Sequence, residues 1–273
     1  MELAENNIIL NVTGNRFAVP MVHHMMVHSS LRYLVSYHGA VLFHSGGLAM
    51  NGLSILFTGR SGVGKTTTTS VLLSSQNQKW SLHADDYVFL SRNKGSLAYL
   101  TRAHLYQELL VWIPSLARRL SAKEKMLLKL FGSLRSLSRE RIKWPVRLDL
   151  HRLWPAHEIC SVGEPVALVL LSRGSVDEPV LSQEEPGPDL VAELVAMNFH
   201  EARHFISLLQ RQQLPPETES QIEEWREREK TILTSWIRKV SFYRMVLPRK
   251  PMPREMLSRL LADRLSMVIP GRS

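Results

Sequence analysis

The chain has 273 residues, of which 44% are hydrophobic and 22% are charged, and this balance is typical of a soluble globular protein. No uninterrupted apolar run approaches the roughly 18–20 residues of a membrane span, and the first residues lack the basic region and cleavage site of a signal peptide. The single cysteine, Cys160, excludes an internal disulfide framework. We therefore expect a cytoplasmic protein without a membrane span.

The formal net charge is +9, and much of the basic excess lies in residues 118–152. A basic segment of this kind can attract an anionic partner such as nucleic acid, an acidic peptide or a membrane surface. Aromatic residues are sparse in this stretch, which argues against nucleic acid. We interpret the segment mainly as the solvated face of a basic helix.

The first part of the chain predicts a β-rich region. Short apolar stretches separated by turn residues predict strands in NIILNV, RFAVPMV and YLVSYHGAVLF. Residues 38–59 predict two strands around a glycine-rich turn, and the second strand leads into a loop. The segment TTTTSVLLSS after the loop predicts the first turns of a helix, because threonine hydroxyls suit a helix N-terminus although β-branched residues are poor helix formers.

The segment WSLHADDYVFL predicts the next strand, with an aspartate pair at its end or in its middle. A basic helical insertion is expected over about 103–143, and EPVALVLLSRG at 164–174 predicts a buried strand.

The breaker cluster EEPGPD at 184–189 is a candidate domain boundary. It separates a core of residues 1–185 from a C-terminal helical region of residues 186–273. Helices are expected there over DLVAELVAMNFHEARHFISLLQ and about 217–240, and LPRKPMPREM is a proline-broken connector to a last helix. We expect this region to pack on the core or to bind substrate.

Residues 59–66, GRSGVGKT, fit the pattern G-x-x-x-x-G-K-[ST] without a mismatch. Glycines let backbone N–H groups wrap a phosphate, and the helix that follows directs its positive N-terminal end at the same anion. The lysine would contact the terminal phosphates, and the threonine hydroxyl would bind Mg²⁺. The sequence thus predicts a site for ATP or another nucleoside triphosphate, formed by Gly59, Ser61, Gly62, Val63, Gly64, Lys65, Thr66 and Thr67.

Asp85 and Asp86 lie some 20 residues after the loop lysine. Adjacent residues of a strand point to opposite faces, so one carboxylate can lie near Mg²⁺ while the other reaches an incoming hydroxyl. Motors and switches typically use one acid for the metal and orient a water separately. Two acids favour a kinase that deprotonates a hydroxyl, while a nucleotide-hydrolysing switch or binding module stays open as the alternative.

The ordered combination of HGAVLF at 38–43, GRSGVGKT at 59–66 and ADDYVFL at 84–90 resembles the catalytic domain of HPr serine kinase/phosphorylase. The nucleotide site of that family is similar to that of ATP-dependent phosphoenolpyruvate carboxykinase. The resemblance implies an α/β fold whose core is a mixed β-sheet with flanking helices, here followed by the C-terminal helical segment.

The same resemblance implies roles for single residues. Asp85 would be the acid associated with the metal, together with Thr66, and Asp86 the base that takes the proton from a serine hydroxyl, although these two roles could be exchanged. His38 would lie near the reacting phosphate, with a strand-edge or core position as the alternative. Arg147 or Arg173, near predicted strand ends, could stabilise transferred charge.

Length and the basic middle segment are similar to the peptide-tailoring kinases of lasso-peptide gene clusters, which phosphorylate a serine hydroxyl of the precursor peptide. We therefore expect ATP-dependent transfer of the γ-phosphoryl group to a serine of a peptide or small protein, with the C-terminal serine of a lasso-peptide precursor as the specific candidate. The resemblance also allows a homo-oligomer.

Two histidine motifs offer metal-binding alternatives. HEARH at 200–204 fits H-E-x-x-H, in which two histidines one helical turn apart bind zinc beside a glutamate base, as in zinc metallopeptidases. Arg203 would place a cation beside such a metal, and a helix with inward-packing apolar residues explains the same letters. His23, His24 and His28 form a second cluster, for which alternating strand positions or a loop are the alternative.

Overall fold

The computed structural model describes residues 2–3, 8–9, 22, 26–74, 80–92, 95–138, 144–211, 217–250, 252–266 and 268. The chain forms an α/β fold in which helices cover both faces of a mixed β-sheet, and this confirms the expected fold class. The strands are β1 (Glu2–Leu3), β2 (Ile8–Ile9), β3 (Ala40–His44), β4 (Gly46–Met50), β5 (Leu53–Thr58), β6 (Ser81–Ala84), β7 (Tyr87–Ser91), β8 (Gly95–Tyr99), β9 (Ala103–Leu105), β10 (Val146–Leu148), β11 (Val162–Gly174), β12 (Val180–Gln183) and β13 (Ser241–Pro248).

Nine α-helices occur within the described ranges, together with a 3₁₀-helix at Pro114–Arg119. None of them has both the length and the apolar character that a membrane span requires. The α-helices are α1 (His28–Tyr37), α2 (Lys65–Leu73), α3 (Gln107–Trp112), α4 (Ala122–Leu137), α5 (Leu150–Leu153), α6 (Pro188–Glu201), α7 (Arg203–Arg211), α8 (Glu217–Ile237) and α9 (Arg254–Ser266).

The long strand β11 organises the nine-stranded sheet. It runs parallel to β5 on one side and to β13 on the other, and its first two residues pair with β8 in the antiparallel direction. On the far side of β5, the antiparallel strands β4 and β6 complete that half of the sheet. Strands β3, β7 and β8 form the second half. A parallel strand covered on both faces needs a continuous apolar sequence, which explains the predicted and observed buried strand at β11.

Alternating residues of the central strands supply two hydrophobic cores, one on each face of the sheet. Ile55 and Phe57 of β5 contribute to a core that also includes α2 and α9. Leu56 between them faces the opposite core, which α1, α6, α7 and α8 cover. The sheet is therefore a middle layer between two helical layers.

The strand prediction for YLVSY is wrong, because these residues form the end of α1. Their buried positions recur at helical spacing: Arg32, Tyr33 and Ser36 are all buried. One turn apart, the hydroxyl oxygens of Tyr33 and Tyr37 lie 2.9 Å from each other. The β-branched and aromatic composition of this segment favoured a strand. The spacing of its buried residues is that of a helix.

Residues 38–59 contain three strands, not the predicted two. The turn is at Asn51–Gly52, where both residues have positive φ (53° and 82°), as the tight hairpin between β4 and β5 requires. Gly46 lies inside β4 instead of in a turn. A Cβ atom there would come within 3.0 Å of the Thr69 side chain, so the glycine lets α2 pack directly on the strand.

The region after residue 185 is not purely helical. Between α8 and α9 it contributes β13, which pairs with both β11 and β12, so strands from both sides of the candidate boundary share one sheet. The expected helical insertion begins with a strand, β9, which pairs in the antiparallel direction with β10 just after the insertion. Residues 16–21 of the predicted strand RFAVPMV, most of NIILNV, and both His23 and His24 lie outside the described residues.

Trp225 is the largest fully buried side chain of the second core, and we predict that Trp225→Ala destabilises the protein by about 3–5 kcal/mol. The indole is 1% exposed, packs against Tyr33, Phe199 and Phe205, and donates a hydrogen bond to Glu229. Urea unfolding monitored by circular dichroism measures the change.

Trp144→Ala is the matched control for this substitution. The Trp144 side chain is 57% exposed and contacts Phe131 at an edge, so its removal should cost less than about 1 kcal/mol. Equal unfolding midpoints for the two variants would contradict the assignment of Trp225 to the core.

Candidate functional site

The chain crosses between the two halves of the sheet at two neighbouring points. Only Ser45 separates β3 from β4, and only Asp85 and Asp86 separate β6 from β7. The backbone N–H of Ser45 donates to the carbonyl oxygen of Asp86 over 3.0 Å, which ties the two crossings together. We call these three residues the seam. The predicted strand over 80–90 is therefore interrupted, and the aspartate pair lies at the end of its first part, β6, which is one of the two expected positions.

The end of β5 reaches the same place, because the Thr58 hydroxyl donates to the carbonyl oxygen of His44, 3.0 Å away. The glycine loop, residues 59–64, then leads into α2. Gly59 has φ of +141°, and a Cβ there would lie 2.7 Å from the carbonyl oxygen of Leu171. Only glycine fits this conformation at so close an approach.

Lys65 begins α2 and turns back over the glycine loop. Its Nζ donates to the carbonyl oxygen of Gly59 at 2.8 Å, and the residue is only 6% exposed. Burial lowers the pKa of the Lys65 ammonium group, while the nearby carboxylates of Asp86 and Glu201 act in the opposite direction. The ammonium group is thus held in a dry position between the loop and two acids.

Arg173, at the end of β11, fixes the glycine loop by hydrogen bonds on the side of β11 and β13. Its Nε donates to the carbonyl oxygen of Val63 at 2.8 Å, and its Nη1 donates to that of Pro248 at 2.6 Å. Its Nη2 lies 2.9 Å from where a Cβ of Gly64 would be. Gly64, with φ of +121°, is therefore the second glycine that the loop geometry requires.

His104 of β9 contacts both seam aspartates. Its Nδ1 lies 2.8 Å from Oδ2 of Asp86, and its backbone N–H donates to the Asp85 carboxylate. Burial would raise the pKa of Asp86, but the hydrogen bond and charge of His104, aided by Lys65, hold that pKa well below its usual range. Burial lowers the pKa of His104, but the hydrogen bond and charge of Asp86 raise it by more. The pKa of His104 therefore lies above its usual value.

Asp85 behaves in the opposite way. The residue is 5% exposed, and burial together with the charge of Asp86 raises the pKa of its carboxyl group to about 7. The environment therefore separates the two adjacent acids: it favours the ionised form of Asp86 and the protonated form of Asp85. Separated acidities of this kind are typical of paired carboxylates with different tasks.

His44, the last residue of β3, completes the cluster. Its Nδ1 lies 3.5 Å from Oε1 of Glu201 at the end of α6. Burial and then the charge of Lys65 lower the pKa of His44, which favours the neutral imidazole. Burial opposes ionisation of Glu201, but the hydrogen bond with His44 and the charges of Arg32 and Lys65 bring its pKa to about 2.

Asn198 fixes the backbone beneath this histidine. It accepts a hydrogen bond from the backbone N–H of His44 at 3.2 Å and donates to the carbonyl oxygen of Leu42 at 3.3 Å. The same amide donates to the buried carboxyl group of Glu229 at 2.7 Å. Helices α6 and α8 thereby hold the end of β3 in place.

The structure brings Asp85, Asp86, Lys65 and the glycine loop together, but it does not bring His38 to them. His38 is an exposed residue at the C-terminal end of α1, before β3 begins. The seam lies at the other end of β3, a strand about 13 Å long. The expected position near a reacting phosphate therefore does not hold for His38, and His44 lies where a histidine was expected.

The HEARH segment does not form one continuous helix. Helix α6 ends at Glu201, α7 begins at Arg203, and both His200 and His204 are exposed. Within the described ranges, no group of three or more His, Cys, Asp or Glu residues is placed to hold a metal ion. His28 is buried between the rings of Tyr87 and Tyr99. The zinc alternative therefore lacks geometric support. Glu201, the glutamate of the motif, contacts His44 instead.

His44, Glu201 and His104 are the residues that sequence reasoning missed. His44 had a weak local signal, since it is a polar residue at the end of an apolar run just before two glycines. Glu201 stood in a motif that was assigned to another chemistry. His104 had no local signal, because its contact with Asp86 joins the small β9–β10 sheet to the seam and depends on where β9 lies.

The acidic group fits the predicted metal site in one respect. Oδ2 of Asp85 is buried and has no hydrogen-bond partner among the described residues. A buried acceptor of this kind is costly unless a cation or donor satisfies it. The carboxylate of Asp85 is thus a suitable oxygen ligand for Mg²⁺, which often takes only one or two protein groups.

Fold and site together define an α/β protein in which a glycine loop, a buried lysine and two unlike carboxylates meet at one edge of a mixed sheet. Comparison with known proteins adds no family to this class: no protein-family model and no curated protein matches the chain.

We predict that His104→Ala raises the pKa of Asp86 by at least about one pH unit, because the variant removes the partner that favours the ionised carboxylate. A ¹³C NMR titration of the Asp86 carboxyl carbon measures this shift. His151→Ala, at an exposed position on α5, is the control and should leave the titration unchanged. An unaltered Asp86 titration in His104→Ala would contradict the pairing.

Proposed function

We propose that this protein is an ATP-dependent kinase that transfers the γ-phosphoryl group to a serine hydroxyl of a peptide or small protein. The observation that carries the proposal is the ionised carboxylate of Asp86 beside the buried Lys65 and the glycine loop. A phosphate-binding loop alone is compatible with many reactions. An ionised carboxylate next to the loop supports a reaction in which an aspartate orients a substrate hydroxyl and accepts its proton.

The glycine loop and Lys65 would bind the triphosphate. Lys65 now donates to a carbonyl oxygen of the loop, and a bound phosphate offers a stronger, charged acceptor. Because burial disfavours the ammonium group, an anion at this position also stabilises its charged form. Thr66 and Asp85 would hold Mg²⁺, which supplies positive charge to the terminal phosphates when it is bound.

In the proposed reaction, the serine oxygen forms a bond to the γ-phosphorus as the bond from that phosphorus to the β,γ-bridging oxygen breaks. The serine proton passes to Asp86, and the nucleoside diphosphate leaves with the bridging oxygen. Most of the rate enhancement comes from position and electrostatics, since phosphoryl transfer needs little covalent chemistry from the protein.

His44 and Glu201 would shape the same space. Neutral His44 can donate or accept a hydrogen bond without adding charge, and Glu201 fixes the orientation of its ring. We assign to His44 the role near the reacting phosphate that the sequence suggested for His38.

The acceptor rests on the resemblance to HPr kinase-like enzymes and to the lasso-peptide tailoring kinases. A serine-bearing peptide is the class that we propose, and the C-terminal serine of a lasso-peptide precursor is its most specific form. The basic, exposed lysines of α4 are compatible with an acidic peptide.

Incubation with γ-labelled ATP, Mg²⁺ and a library of serine-containing peptides tests the activity. Labelled peptide is the expected product, and Asp86→Asn should reduce its formation at least about 100-fold while ATP affinity changes less than threefold. Asp149→Asn is the matched control, because Asp149 is an exposed helix cap that asparagine can replace.

Two results would contradict the kinase proposal or its base. Label that appears only as free phosphate would indicate a nucleotide-hydrolysing switch. Full peptide phosphorylation by Asp86→Asn would show that another group accepts the proton.

His44, at the end of β3, and His38, just before β3, give a second, independent prediction. With a peptide that the library identifies, His44→Ala should lower kcat/KM at least about tenfold, whereas His38→Ala should change it less than twofold. The His44 variant keeps the two hydrogen bonds described for this residue with Thr58 and Asn198, because both involve its backbone. Equal losses in the two variants would contradict the assignment to His44.

A further inference from the structure

The two-stranded sheet of β9 and β10, which we call the ribbon, lies beside the seam and supplies His104. Successive residues of its strands point to opposite faces. One face is apolar and packs into the core that includes α2 and α9, with Ala103, Leu105, Val146 and Leu148. His104 and Arg147 are directly opposite each other in the register. Their side chains therefore share the other face, with Cβ atoms about 4.5–5.5 Å apart.

The polar face of the ribbon is open to solvent beside Asp86. The Asp86 and His104 side chains, which contact each other, are 20% and 21% exposed, and Arg147 is an exposed residue. Asp85 in contrast is only 5% exposed. A hydroxyl group that reaches Asp86 from solvent therefore comes close to the pair of His104 and Arg147.

The side chain of Arg147 makes neither a hydrogen bond nor an ion pair in the part of the chain that the structure describes. Asp149, two residues further along, has a carboxylate that accepts a hydrogen bond from the backbone N–H of His151 at 2.8 Å. The guanidinium lies close enough to His104 and Tyr106 for its charge to act on both side chains. It is thus a cation beside the site that has no acid of its own.

The other cations around the seam already have partners. Lys65 donates to a carbonyl oxygen of the glycine loop, and Arg173 donates to two backbone carbonyl oxygens. Arg32, only 1% exposed, donates to the carbonyl oxygen of Leu42 at 3.2 Å. Of these four cations, Arg147 is the one that is exposed and can bind a group arriving from solvent.

A guanidinium in this position suits a carboxylate of the acceptor. Its planar set of N–H donors matches the two oxygens of a carboxylate, and such pairs form two parallel hydrogen bonds. The carboxylates of Asp86 and Glu201 would repel an acceptor that carries a negative charge. An acidic acceptor therefore needs a cation on the solvent side of the seam, and Arg147 supplies one.

We propose that Arg147 is a specificity-determining residue that binds a carboxylate next to the acceptor serine through two N–H···O hydrogen bonds. This inference rests on the proposed function, because it takes Asp86 as the group that accepts the serine proton. It restricts the substrate class to serines that lie beside a negative charge. The carboxylate can come from two sources: the C-terminus of a peptide that ends in serine, or an acidic side chain next to an internal serine.

Four pools of short synthetic peptides test this recognition, each with one serine and otherwise randomised over uncharged residues. The first pool ends in serine with a free carboxylate, and the second ends in serine amide. In the third pool aspartate follows an internal serine, in the fourth asparagine does, and both pools end in an amide. Transfer of the γ-label from Mg-ATP gives the relative kcat/KM of each pool. Fluorescence anisotropy with a non-hydrolysable ATP analogue and Mg²⁺ gives the affinities.

Wild-type protein should prefer a carboxylate pool over its neutral counterpart at least about tenfold in kcat/KM. The pair of pools with the larger preference identifies the source of the carboxylate. Arg147→Ala should reduce the preference below about threefold by slowing the carboxylate pools, while the neutral pools change less than about twofold. Arg147→Lys should keep part of the preference, because lysine retains the charge without the planar set of donors.

Arg238→Ala is the matched control, since it removes another exposed arginine and the same charge. Arg238 precedes Lys239, which donates to the carbonyl oxygen of Arg92 at the other end of β7 from the seam. The preference for the carboxylate pools should stay at the wild-type value in this variant.

Two results would overturn the role of Arg147 and leave the kinase proposal intact. One is equal kcat/KM within both pairs of pools for the wild-type protein. The other is an equal loss for carboxylate and neutral pools in Arg147→Ala, which would place Arg147 on the transferred phosphoryl group instead.

The affinities separate this inference from the proposed function. Label that appears only as free phosphate with every pool would overturn the kinase proposal. A preference for carboxylate pools in binding, lost in Arg147→Ala, would then still support the carboxylate site, whereas equal affinities would overturn it as well.

Discussion

The site depends on the two short crossings at the seam. One residue, Ser45, carries the chain from one half of the sheet to the other, and Asp85 and Asp86 carry it back. Connections of this length leave no slack. The backbone of the two aspartates therefore cannot move unless the strand pairing on both sides of it changes. The two acidic residues are thereby attached directly to the rigid sheet, with no flexible loop between the strands and the acids.

Such a position is costly for charged groups, and the surrounding residues offset that cost collectively. Asp86 has His104 and Lys65 as partners, while Lys65 also lies in the field of Glu201, which in turn contacts His44. Buried charges are tolerated when they are paired, and removal of one member leaves its partner exposed to the full desolvation penalty. The cluster is therefore best regarded as one electrostatic unit that spans both halves of the sheet.

Local patterns predicted what depends on local geometry. The glycine loop, Lys65 and the helix after it were recognisable because their chemistry is set by adjacent residues. The place of His44 in the site was not recognisable, because it depends on which end of β3 meets the seam, and the register with β7 decides that. Strand β13 was missed for a similar reason, since its position is set by pairing with β11 rather than by its own composition.

Arg173 also has a consequence for the order in which the molecule forms. Its hydrogen bonds join Val63, in the first quarter of the sequence, to Pro248, near the end of the sequence. Contacts between such distant parts of a chain form slowly, because loop-closure entropy opposes them until much of the sheet is in place. During synthesis the glycine loop leaves the ribosome long before β13 does. A growing chain therefore contains the sequence of the loop well before it can acquire the braced shape of the loop.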